Sequence, residues 1–72
     1  MSRALLLAEA EPGTTEFLER HLASDGFDVL RAAAQELALE LAERVRPDLV
    51  LVGGLEDASG LDVCRRLREG EP

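Results

Sequence analysis

Residues 46–54 read Arg46-Pro47-Asp48-Leu49-Val50-Leu51-Val52-Gly53-Gly54, and this stretch decides the fold. Four consecutive apolar residues between a proline and a glycine pair predict a short strand, Leu49 to Val52. Both of its faces are apolar, the pattern of a strand covered on both sides in a parallel sheet. Upstream, Ala33 to Arg46 is rich in Ala, Leu, Glu and Gln, all strong helix formers, and Pro47 ends it. Its Ala34, Leu37, Ala38, Leu41 and Val45 are expected to share the inward face, with Glu40 and Arg44 paired at i,i+4 outside. Downstream, Gly53-Gly54 breaks the strand and Leu55 to Ala58 form a loop. Ser59 with Asp62 is a capping pair that opens another helix, expected to carry Leu61, Cys64 and Leu67 inward and to close at Gly70 and Pro72.

The first half repeats the alternation. Ala4 to Ala8 is a continuous apolar run, and Thr14 or Thr15 is expected to cap a helix through Phe17, Leu18 and Leu22. His21 falls on the same side and is expected to be partly buried. Gly26 stands where a helix-ending glycine belongs, and Phe27 to Leu30 read as a second strand with Phe27 and Val29 on one face. Strand and helix thus alternate three times. Connections of a helix's length between apolar strands imply right-handed βαβ crossovers, so the fold class is α/β: a three-layer parallel sheet with helices on both faces. A last strand that is apolar on both faces, followed by only one helix, would leave unpaired backbone beside exposed Leu and Val. On this ground residues 1–72 are expected to be one portion of a larger domain, cut in its middle.

Seventy-two residues make one small domain at most, burying only about 60% of the unfolded surface. Apolar residues form 46% and charged residues 32%, a globular balance. With 15 acidic against 8 basic residues the formal charge is −7, and no basic cluster exceeds Arg65-Arg66, so direct nucleic-acid contact by this segment is not expected. The longest early apolar run is too short for a membrane span or signal sequence, and the expected setting is cytoplasmic. One cysteine and one histidine make neither an internal disulfide nor a zinc site.

Four segments in order, Leu6-Leu7-Ala8-Glu9-Ala10-Glu11-Pro12, Gly26-Phe27-Asp28-Val29, Arg46 to Val52, and Gly60-Leu61-Asp62-Val63-Cys64-Arg65-Arg66-Leu67-Arg68, resemble the receiver domain of two-component response regulators. The resemblance runs from about Arg3 to Glu69. It implies a flavodoxin-like fold whose first three βα units give strand order 2-1-3, with fourth and fifth units beyond this chain. Receivers of that family take a phosphoryl group on an aspartate at the end of the third strand, beside Mg²⁺ held by two acids after the first. Carried over residue by residue, Glu9 falls on the first acid, Ala10 on the second, and Gly53 on the phosphoacceptor. A methyl group cannot bind Mg²⁺ and glycine cannot be phosphorylated. The loop after Gly53 is one residue shorter than usual and lacks its proline; a shift of one places Val52 or Gly54 there, with the same result.

Each singled-out residue has a simpler account beside the functional one. Glu9 is either a remnant of the acidic pocket or a solvated strand-end carboxylate. Glu56 and Asp57 are candidate substitute acceptors or plain loop acids. Gly53-Gly54, with Asp57, forms a candidate ligand-facing loop, or simply a tight turn. Cys64 reads as a small core hydrophobe, and Arg65, Arg66 and Arg68 as complements to a helix dipole. No nucleophile–base grouping supports an enzyme, and no metal or cofactor is expected.

The resemblance therefore implies an atypical receiver segment in signal transduction and transcription regulation, acting through protein–protein contact. Its expected partners are the rest of its own receiver domain, a C-terminal DNA-binding output domain and, in the full protein, a second copy in a homodimer. The alternatives are a domain that senses a small molecule at the strand ends, or a stand-alone half-receiver that assembles with a partner.

Overall fold

A computed structural model describes residues 3–69. Along the chain run β1 (Arg3–Ala8), α1 (Pro12–Ser24), β2 (Phe27–Ala32), α2 (Gln35–Val45), β3 (Leu49–Val52) and α3 (Gly60–Glu69). The three strands form one parallel sheet in the order β2-β1-β3, as expected. Leu5 lies between Val29 and Leu49, and Ala8 between Ala32 and Val52. The central strand β1 is the most buried element, with Leu5, Leu6, Leu7 and Ala8 all excluded from solvent. Leu6 and Ala8 join Ala32, Ala38 of α2 and Val63 of α3 in one apolar cluster, so α2 and α3 share a face of the sheet. Helix α1 lies against β2 on the opposite face, where its Leu18 borders the same groove as Leu7 and Leu51.

Strand β3 is an edge. Its Leu49 and Leu51 are 47% and 36% exposed, while Val50 and Val52 pack against the α2–α3 cluster. Among the described residues the exposed leucines foreseen from the sequence are therefore present at this edge, while its valines are covered. A hydrogen-bonded pair fixes its start: Asp48 N donates to Ala4 O at 2.8 Å, and the Asp48 carboxylate accepts from Ala4 N at 2.9 Å.

The structure corrects several expectations. The cap of α1 is neither Thr14 nor Thr15 but Glu11, whose carboxylate accepts from the backbone N–H groups of Gly13 and Thr14. Pro12 sets the early start, because its fixed φ suits the first helical position and its missing N–H costs nothing there. Thr15 is instead buried, its hydroxyl donating to Glu11 O at 2.9 Å. Phe17 is 61% exposed and His21 is exposed beside it, the two rings 4.4 Å apart, so the inward side of α1 excludes both. In α2 the buried stripe centres on Ala38, Leu41 and Ala42, which turns Leu37 and Val45 to solvent. In α3, Val63 and Leu67 face the cluster, whereas Leu61 and Cys64 are exposed. Gly60, at the start of α3, sits closely against the Gly53 carbonyl.

Other expectations hold. Gly26 takes φ +95°, the left-handed conformation at a helix end that glycine adopts without a Cβ penalty, and its N–H donates to Ala23 O. Ser59 Oγ accepts from Asp62 N at 3.2 Å, and Glu40 pairs with Arg44 at 3.5 Å. Helix α2 ends with Arg46 left-handed at φ 51° before Pro47. The expected stop at Gly70 and Pro72 lies outside the described residues.

Candidate functional site

The carboxyl ends of parallel strands are where α/β sheets place ligands, and here Glu9, Ala10, Gly53 and Gly54 meet there. Glu9 and Gly53 each follow a strand directly. Glu9 N donates to Ala32 O at 3.0 Å, and Gly53 N to Ala8 O at 2.8 Å, so the pairing pattern extends one residue past β1 and β3. Ala10 N then donates to Gly54 O at 2.8 Å and joins the two loops.

The Glu9 side chain does not project outward. Its Oε2 accepts from Ala10 N at 2.9 Å and from Glu11 N at 3.4 Å. In this pose the carboxylate covers Gly53: a Cβ built there would lie 2.8 Å from Glu9 Cδ and 3.2 Å from Oε2. The space in which a side chain at 53 would begin thus holds the acid that follows β1. Gly54 is looser, its nearest such contact being Glu9 Oε2 at 3.9 Å.

These residues do not fit a bound Mg²⁺. A hard cation needs several oxygen ligands, and the site offers one carboxylate already engaged by two backbone N–H groups, beside the methyl of Ala10. Among the described residues no group of three or more His, Cys, Asp or Glu is placed to hold a metal.

Asp57 points elsewhere. Its Oδ1 accepts from Gln35 N at 2.9 Å, at the first residue of α2, while Glu56 N donates to Ala33 O at 3.0 Å. The structure therefore groups Glu9 with Gly53 and Gly54 but ties Asp57 to α2. That role was missed in the sequence, where the only signal is the want of a capping side chain at Ala34. The titration of Glu11 is displaced downward: the Thr14 hydroxyl first, then the backbone N–H groups of Thr14 and Gly13, hold its carboxyl below the ordinary 4.5. An open apolar groove of about 270 Å³ runs beside the site, between α1 and β3, bordered by Leu7, Leu18 and Leu51 with Glu9 and Gly53 at its end.

No family model matches the chain. It is 33% identical over 70 residues to the alkaline phosphatase synthesis transcriptional regulatory protein PhoP of Bacillus subtilis, covering 96% of this chain and 29% of that protein. It is 36% identical over 69 residues to the DNA-binding response regulator MtrA of Mycolicibacterium smegmatis, covering 94% of this chain and 30% of that protein. The chain thus spans about three tenths of the length of these relatives. Among solved structures, one described as a response regulator from Chloroflexus aurantiacus superposes with a TM-score of 0.88 at 32% identity, covering all of this chain and 59% of its own. The signal receiver domain of a Luxo repressor protein from Vibrio parahaemolyticus superposes at 0.84 with 21% identity, a likeness of fold, over 96% of this chain and 54% of its own.

Proposed function

We infer, from the premise that this chain carries the first three βα units of a response-regulator receiver domain, that it serves signal transduction without aspartyl phosphorylation at the family position. The observation that carries this reading is the Glu9 carboxylate lying over Gly53. A phosphoacceptor must present its own oxygen at that point, and a metal must neutralise the transferring group beside it. Here residue 53 has no side chain and residue 10 has no side-chain oxygen. What remains is a folded α/β surface that can hold or restrain other protein elements.

In this reading the segment works by protein–protein contact rather than as an enzyme. The rest of a receiver domain covers the β3 edge, a C-terminal output domain binds DNA, and copies pair in the full cytoplasmic protein. Support comes from the exposed leucines at the β3 edge and from relatives named as a transcriptional regulatory protein and a DNA-binding response regulator. The test is intact-mass measurement of the full protein after incubation with Mg²⁺ and acetyl phosphate. An unchanged mass is expected, and a stoichiometric gain of one phosphoryl group localised to residues 1–72 would overturn the reading.

A further inference from the structure

Helix α2 begins without a capping side chain of its own. Its N-cap residue is Ala34, in extended backbone at φ −127° and ψ 154°, and alanine has no acceptor to offer the first N–H groups. The acceptor comes from 22 residues away: Asp57, in the loop after β3, takes the Gln35 N–H on Oδ1 at 2.9 Å. A second bond runs alongside, from Glu56 N to Ala33 O at 3.0 Å. The same loop is bound to β1's end through Ala10 N and Gly54 O at 2.8 Å. The loop that follows the candidate site is therefore held at one end by the β1–α1 connection and at the other by the start of α2.

We propose that Asp57 is a detached N-cap of α2, and that through it the β3–α3 loop and the first turn of α2 order and loosen as one unit. A carboxylate at a helix start satisfies an orphan donor and opposes the positive end of the helix dipole. Because the acceptor is on the site loop, whatever displaces that loop releases the first turn of α2. By linkage the converse also holds, so fraying of α2 frees the loop beside Gly53. The coupling rests on the Asp57–Gln35 bond and does not depend on whether the site is phosphorylated.

Gln35 allows a clean test. Proline is tolerated at the first helical position, and the preceding Ala34 already has the extended backbone that proline demands of its neighbour. Gln35→Pro should therefore delete the donated N–H and leave the helix path unchanged. In the intact protein, amide hydrogen exchange is measured for Asp57→Ala, Asp57→Asn, Gln35→Pro and the Asp57→Ala/Gln35→Pro double variant. Asp57→Ala is expected to lower protection in the first turn of α2 about fivefold. Gln35→Pro is expected to loosen the amides of Leu55 and Glu56 by a similar factor, and the double variant to be no looser than the worse single one. Asp57→Asn, which keeps the acceptor oxygen, should stay near wild type and serves if the alanine variant does not fold. Full additivity of the two single variants, or a Gln35→Pro variant with an unchanged loop, would overturn the coupling.

Discussion

The carboxylate of Glu9 occupies the space over the Cα of Gly53, so two residues that directly follow neighbouring strands share one side chain's room. Either a side chain at 53 or the present pose of Glu9 can exist, but not both. Because the crowding atoms are the far end of a flexible side chain, Gly53→Ala is expected to fold by swinging Glu9 away from Ala10 N and Glu11 N. The cost should be about 1 kcal/mol, the worth of the hydrogen bonds given up. In a Glu9→Ala background the same substitution should cost little, and urea denaturation of the four proteins in the cycle measures the difference.

Gly60 makes the opposite case. A Cβ there would lie 2.6 Å from Gly53 O and 3.3 Å from Gly53 C, and backbone cannot swing aside. Although alanine is the better helix former, Gly60→Ala is expected to destabilise the chain by about 1–3 kcal/mol. Equilibrium denaturation checks this, and a neutral result would mean that α3 does not seat on the loop as described.

Arg46 holds a left-handed backbone at φ 51° and ψ 63° where its N–H donates to Ala42 O. Glycine bears that conformation without Cβ crowding, and a C-terminal helix cap is where it is most often found. Arg46→Gly is expected to raise stability by about 0.5–1 kcal/mol, read as an increased denaturation midpoint at unchanged slope.

Glu11 gives the α1 cap a pH dependence. Its folded pKa lies below the ordinary 4.5, so its contribution is full above that value and is lost as pH falls through the lowered one. Glu11→Gln keeps an acceptor oxygen but cannot titrate. Melting temperatures followed from about pH 6 down to pH 3 should therefore fall less steeply for the variant than for wild type.

Leu5 and Leu49 face each other in register, yet one is fully buried and the other 47% exposed. In this 72-residue chain Leu5→Ala is expected to cost about 2–5 kcal/mol, and Leu49→Thr to stay within about 0.5 kcal/mol. If further βα units cover β3 in a longer protein, Leu49→Thr should become clearly destabilising there, which thermal unfolding of the longer chain would show.

The order of elements was legible in the chain alone, because each rests on its sequence neighbours. Four apolar residues between Pro47 and Gly53 make a strand, Gly26 ends a helix, and Ser59 opens one. The sequence also determined that positions 10 and 53 carry no side-chain oxygen, whatever surrounds them. Which apolar residues face inward was legible only in part. A helix of Leu and Ala offers several stripes, and contact with the sheet selected Ala38 over Leu37 and Val63 over Cys64. The tertiary structure alone decided that Glu9 turns over Gly53 and that Asp57 caps a helix 22 positions away. Both depend on where separate loops come to lie when three strands align, and no spacing along the chain encodes that distance.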